Sequence, residues 1–183
     1  MSQDSEEVAE MLDLVDLEDQ SKIAEKLDLI PFGPCSITLE AWRSLKLSVK
    51  AYSSHPEPRE VPFCLLGKVN SNRLMITQVV QLDNQVTFPG RCAYSIETAR
   101  KIEKEASHNR LMLVGFLRTH AGDTVQPLFQ DRTAWLSLMF EFNRPMLYFI
   151  LSSSLKLGAY SVPIETFLQL KEAIRFIPSE VIE

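Results

Sequence analysis

The alternation of short apolar runs with helical patterns, between residues 37 and 176, constrains the fold of this chain more than any other feature. Five apolar runs have the length of a β-strand: residues 61–69, 73–82, 110–118, 146–153 and 156–162. Four segments repeat apolar residues with helical spacing: residues 39–52, 96–107, 131–142 and 163–176. This order predicts a single mixed-sheet α/β domain with flanking helices.

Residues with capping side chains mark where the predicted helices begin. Thr38 and Ser95 stand immediately before two of the helical patterns, and their hydroxyl groups suit the N-cap position. Asp131 is likewise a natural cap for the helix over residues 131–142. Pro163 suits the first turn of the last helix.

Residues 1–30 differ sharply in charge from the rest of the chain. They hold ten acidic and two basic side chains, a net charge of −8, whereas the remainder holds fourteen acids and seventeen bases, a net +3. Two apolar series in this segment have helical spacing: Val8, Met11, Leu12 and Val15, then Ile23, Ala24, Leu27 and Ile30. We expect an acidic amphipathic extension that contacts the body or another subunit. The alternative is a solvated acidic tail.

Composition argues against several classes of protein. No apolar run approaches the roughly 18 residues of a membrane-spanning helix, and the acidic start is unlike a secretory signal. We therefore expect a cytoplasmic protein without a membrane partner. Nucleic acid is not expected as a partner, because Lys and Arg are not clustered. Cys35, Cys64 and Cys92 are far apart and form no CxxC pair, which argues against a disulfide framework or a cysteine-rich zinc site.

Two spacings in the sequence carry the most specific functional information. Glu60 precedes Gly67 by seven residues, with a leucine pair between them, and Asp131 follows His120 by eleven residues. Gly115 lies in the apolar run that leads to His120. Together with the order of elements, these spacings resemble the MPN/JAMM family, also called Mov34/PAD-1. The resemblance covers about residues 37–176 and implies an MPN/JAMM-like α/β fold.

The family's motif is His-x-His-Pro, followed by a serine and by an aspartate eleven residues after the second histidine. The resemblance implies that the two histidines and the aspartate hold zinc, that the upstream glutamate is the general base, and that the serine steadies the oxyanion. In this sequence His120 and Asp131 match the second histidine and the aspartate, and Glu60 matches the glutamate. Arg118 stands where the first histidine is expected, and Leu128 stands where the serine is expected.

These two departures argue against catalysis. A catalytic zinc usually has three protein ligands and an open position for water, whereas only the remnant ligands His120 and Asp131 are left. Arg118 offers no lone pair to a metal, and Leu128 removes a hydroxyl donor whose loss is worth about 3 kcal/mol in comparable oxyanion holes. We therefore expect no catalytic residues, no zinc and no other cofactor. Instead, we expect Arg118 to fill the former metal site and to bridge Asp131 and Glu60.

Several functions remain open on the sequence alone. The resemblance implies a non-catalytic binding or scaffold module, whose partner is a second MPN domain, a ubiquitin-like protein or another copy of the chain. The alternative is a zinc-dependent JAMM metalloprotease or isopeptidase with an altered ligand set. A regulatory or small-molecule domain on the same fold is a third class, for which no specific residue speaks. Each residue also has an ordinary interpretation: Glu60 as a surface carboxylate and His120 as a loop histidine.

Overall fold

The computed structural model describes residues 30–31, 35–53, 60–70, 73–82, 94–161 and 167–168. Within these ranges the strands are β1 (Ile30–Pro31), β2 (Cys35–Ile37), β3 (Pro62–Asn70), β4 (Arg73–Gln81), β5 (Met112–Thr119), β6 (Leu147–Leu151) and β7 (Leu157–Ser161). The helices are α1 (Leu39–Ser53), α2 (Ile96–His108) and α3 (Phe129–Glu141). The predicted helices of residues 1–29, and most of that over 163–176, lie outside the described residues. None of the described helices has the length and apolar character needed to cross a membrane.

The first two helices begin at the predicted capping residues. Thr38 Oγ1 accepts a hydrogen bond from the Ala41 backbone N–H at 3.2 Å, at the start of α1. Ser95 Oγ accepts one from the Thr98 N–H at 3.3 Å, at the start of α2. Each hydroxyl satisfies one backbone donor that has no partner within its own helix. Both predicted helix starts are therefore confirmed.

The strands form one mixed sheet in the order β1-β7-β6-β5-β3-β4-β2. The pairs β5–β6 and β2–β4 are parallel, and the other four pairs are antiparallel. The parallel β5–β6 pair requires a crossover connection, which α3 provides. The expected single mixed sheet with flanking helices is confirmed.

The sheet must curl strongly, because its two edge strands are close in sequence. Only four Cα–Cα steps separate Pro31 at the end of β1 from Cys35 at the start of β2, a span of at most about 14 Å. Ile30 belongs to β1 and pairs with Ser161 of β7. The helical spacing assigned to Ile30 was therefore wrong. The sheet edge gives its backbone hydrogen-bonding partners, and Pro31 has no N–H with which to continue a helix.

Apolar layers cover both faces of the central strands. Along β3, Cys64 and Leu66 belong to the layer that includes Trp135 of α3, whereas Phe63 and Leu65 face the layer beneath α1. This alternation is the two-residue period of a strand. Because both faces are covered, the central strands read as almost continuous apolar runs in the sequence.

Candidate functional site

Strand pairing brings three of the predicted site residues to one end of the sheet. Pro62 at the start of β3 pairs with Arg118 near the end of β5. The pairing continues beyond the strand ends: the Val61 N–H donates to Thr119 Oγ1 at 2.8 Å, and the Thr119 N–H donates to the Val61 carbonyl at 3.1 Å. Glu60 therefore lies beside the segment that carries Arg118 and His120.

The fourth residue reaches the same place from the helix that connects β5 to β6. Asp131 lies in the first turn of α3 and is completely buried. Its carboxylate meets Arg118 and His120 directly. The predicted convergence of Glu60, Arg118, His120 and Asp131 is thus present in the structure.

Arg118 lies between the two carboxylates. Its Nη1 donates to Asp131 Oδ1 at 2.9 Å, and its Nη2 donates to Glu60 Oε2. Arg118 is 2% exposed, Glu60 7% and Asp131 0%. One permanent cation and two carboxylates therefore share a site from which solvent is almost excluded.

Asp131 contacts several residues in addition to Arg118. His120 Nε2 lies 3.1 Å from Oδ2 and 3.3 Å from Oδ1. The Leu128 backbone N–H donates to Oδ2 at 2.8 Å, and the Tyr148 hydroxyl donates to Oδ1 at 3.3 Å. The Tyr94 hydroxyl in turn donates to the Tyr148 oxygen at 3.0 Å. With Arg118, these contacts satisfy both oxygens of a carboxylate that water does not reach, as a buried charge requires.

The pKa shifts of Arg118 and Asp131 both favour the charged forms. Burial by itself would raise the pKa of Asp131, but hydrogen bonding to His120, the charge of Arg118 and the Leu128 N–H together lower it. Burial would lower the pKa of Arg118, but the negative charges of Asp131 and Glu60 outweigh this effect and raise it. Each partner thus stabilises the charged form of the other.

The start of α3 differs from its prediction. The helix begins at Phe129, two residues earlier than expected, and Leu128 is the N-cap with an extended backbone at φ −74° and ψ 171°. Asp131 is the third helical residue rather than the cap, and its carboxylate accepts the Leu128 N–H. This is the acidic half of a capping box. A leucine side chain offers no hydrogen-bonding group for the other half, and the Leu128 side chain is 48% exposed.

The residues present do not match the needs of a catalytic zinc. Asp131 Oδ1 accepts a hydrogen bond from Arg118, and Glu60 is paired with the same guanidinium. A dication placed there would lie against a permanent positive charge. In the part of the chain that the structure describes, no three His, Cys, Asp or Glu side chains are grouped to hold a metal.

Sequence reasoning missed the two tyrosines of the site. Tyr148 lies in the otherwise apolar run that forms β6, and Tyr94 precedes α2. The signal was present, because a phenol hydroxyl buried in a strand needs a hydrogen-bonding partner. The sequence does not show which residue that hydrogen-bonding partner is. His108, the other described histidine, is exposed at the end of α2 and contacts the Glu105 carbonyl.

Comparisons with known proteins support the fold. No family model and no curated protein matches the chain. A solved structure, protein DSY2949 from Desulfitobacterium hafniense, is 18% identical with a TM-score of 0.53, over 69% of this chain and 82% of that one. A protein from Salinibacter ruber is 16% identical with a TM-score of 0.45, over 72% and 84%. A JAB1/MPN domain protein from Archaeoglobus fulgidus, AF2198, is 16% identical with a TM-score of 0.40, over 70% and 89%. This chain thus shares its α/β fold with the Desulfitobacterium protein.

Proposed function

We propose that this chain is a non-catalytic MPN-like domain that acts by binding another protein. The observation that carries the proposal is the position of Arg118, which bridges Glu60 and Asp131 in a buried site. The resemblance implies that Glu60 stands at the position of the general base, and that Asp131 and Arg118 stand at positions of zinc ligands. A guanidinium thus supplies the positive charge that a dication would supply in an active relative.

The hydrogen bonds around Arg118 argue against a catalytic role for this site. Glu60 would have to accept a proton from water, yet its carboxylate is engaged by a guanidinium. A general base must lie within hydrogen-bond reach of the group that it deprotonates. Glu60, His120 and Asp131 are each at most 7% exposed, so a substrate has little access to them. Leu128 provides no hydroxyl for an oxyanion.

The partner classes follow from the resemblance alone. They are a second MPN domain, a ubiquitin-like protein and a second copy of this chain. Light scattering on the purified chain measures self-association, and titration with ubiquitin tests the ubiquitin-like class. A monomer that binds neither ubiquitin nor any MPN-domain protein offered to it would contradict the binding role.

Zinc content separates the proposal from the alternative of an active metalloprotease. Protein purified without added metal should contain far less than one zinc per chain, as measured by inductively coupled plasma mass spectrometry. A ubiquitin fusion should remain uncut with and without chelator. Stoichiometric zinc, or cleavage that a chelator abolishes, would establish the alternative of a zinc-dependent isopeptidase with an altered ligand set.

A restoration variant tests whether Arg118 is what keeps the metal out. Arg118→His combined with Leu128→Ser supplies the missing ligand and the hydroxyl, so the double variant should bind zinc with His120 and Asp131. The matched control is Leu128→Ser alone, which leaves the guanidinium in place and should take up no more zinc than the wild type. Equal zinc uptake by the control and the double variant would contradict the role given to Arg118.

A further inference from the structure

Helix α1 presents an apolar face to solvent in addition to the face that packs on the sheet. Leu45 and Val49 are buried in the layer against β3 and β4. On the outward side, Leu39 is 60% exposed and Leu47 is 71% exposed. Arg43 lies midway between these two leucines at helical spacing, and all three side chains line a shallow depression. An amphipathic surface helix normally keeps large apolar side chains away from this side.

The outward face of α1 is also basic. Arg43, Lys46 and Lys50 fall on it by helical spacing, and Glu40 is the one acidic residue of the helix. Three bases against one acid give α1 a net charge of +2. The Lys46 ammonium group lies 5.7 Å from the centre of the Trp42 ring. The surface therefore suits a ligand that is apolar along one stripe and acidic beside it.

Residues 1–29 have this complementary chemistry. They carry ten acids and two bases, a net charge of −8. Within them, Val8, Met11, Leu12 and Val15 have the spacing of one helical stripe. No other stretch of the chain combines so negative a charge with an apolar repeat.

The chain connectivity allows this segment to reach α1. Ile30 in β1 is followed after a short connection by β2, and α1 starts two residues beyond β2 at Leu39. The fourteen residues 16–29 can span up to about 46 Å when extended. The fifteen residues of α1 are only about 22 Å long. A tether of this length holds its two ends at an effective concentration on the order of millimolar, which favours docking within one chain over docking between chains.

From this complementarity we infer that residues 8–15 dock on the outward face of α1 in the same chain. The apolar stripe of the segment covers Leu39 and Leu47, and its carboxylates lie beside Arg43 and Lys46. Docking of the segment would keep a partner from binding the same face of α1. It thus makes residues 1–29 an intramolecular competitor for that surface. The inference does not depend on the state of the Arg118 site.

Hydrogen exchange of the full-length chain, read by mass spectrometry, tests the inference. Amides of residues 8–15 should exchange about tenfold more slowly in the wild type than in the double variant Arg43→Glu with Leu47→Asp. The matched control is Lys104→Glu with Leu168→Asp, which makes the same kinds of change at exposed positions elsewhere. This control should keep wild-type exchange. Thermal unfolding of both variants verifies that the fold is retained.

Three outcomes would overturn the inference. The first is exchange of residues 8–15 at the rate of an unstructured peptide in every protein, and the second is wild-type exchange in both double variants. The third is a rise in the protection of residues 8–15 with protein concentration in the wild type, which would mean that the segment docks on a second copy. Protection that is independent of concentration and lost only in the α1 variant establishes docking within the chain.

Discussion

Arg118 Nη1 donates a hydrogen bond to Asp131 Oδ1 at 2.9 Å, although thirteen residues separate the two and neither is more than 2% exposed. Removing an ion pair from water costs several kcal/mol per ion, and only good geometry with further hydrogen bonds recovers that cost. Both conditions hold here, since His120, Leu128 and Tyr148 also contact the carboxylate. The pair is therefore stable as a unit and vulnerable to the loss of either member.

Replacement of Arg118 should destabilise the fold strongly. Arg118→Ala leaves two buried carboxylates without their cation, and we expect a loss of about 3–5 kcal/mol in the free energy of unfolding. Arg118→Met retains most of the side-chain volume and should be almost as damaging, which separates the effect of charge from that of a cavity. Chemical denaturation measures both variants.

Arg100 provides the control for the Arg118 prediction. It pairs with Glu141 at the surface, where its side chain is 43% exposed. Exposed ion pairs contribute about 0–1 kcal/mol, so Arg100→Ala should be nearly neutral. Equal effects of Arg100→Ala and Arg118→Ala would mean that Arg118 does not hold the carboxylates together.

The stability of the protein should depend on the ionisation of Asp131 at acid pH. Because the pKa of Asp131 is lower in the folded chain, its charge stabilises the fold fully above the unfolded-state pKa of about 3.9. This contribution is lost as the pH falls through the lower folded-state pKa. Asp131→Asn should therefore be less stable than the wild type at pH 7, and the difference should shrink below about pH 4. A difference that stays constant from pH 7 to pH 2 would refute this assignment.

Gly115 should tolerate no side chain. A Cβ there would lie 2.4 Å from the Leu147 carbonyl oxygen and 2.6 Å from the Leu147 Cβ, in the strand paired with β5. Gly115→Ala must push β6 away from β5, and we expect a loss of at least about 1–3 kcal/mol, measured by thermal or chemical denaturation. Gly122→Ala is the control, because a Cβ at Gly122 meets nothing within 4 Å. Similar melting temperatures for the two variants would contradict the close approach of β5 and β6.

Cys64 should resist alkylation in the native protein. Burial, with a contribution from Glu103, raises the pKa of its thiol to about 12, and burial raises that of Cys35 to about 11. Since the thiolate is the reactive form, iodoacetamide at pH 8 should modify native Cys64 at least about 100-fold more slowly than the unfolded chain. The half-buried Cys35 should react at an intermediate rate. Peptide mass spectrometry distinguishes the two sites, and rapid native labelling of Cys64 would show that this part of the core opens readily.

Local signals in the sequence determined the elements and their approximate bounds. Thr38 and Ser95 cap the helices that their positions predict, and the apolar runs became the central strands. These signals succeed because a cap or a periodic apolar pattern involves neighbours within one or two turns. The same reasoning failed at Asp131, whose side chain was equally suited to an N-cap and to the third helical position.

The sequence by itself indicated which charged residues meet in the site, because the spacings of Glu60 from Gly67 and of Asp131 from His120 resemble those of the MPN/JAMM family. Only the tertiary structure decided how they meet. Arg118 and Glu60 are 58 residues apart, and the register of β3 on β5 sets their contact. Tyr148 joins the site because β6 lies parallel to β5 beneath α3. Spacing along a chain specifies which side chains are available, whereas long-range strand register and helix packing set the distances between their atoms. The strength of a buried ion pair depends on those distances.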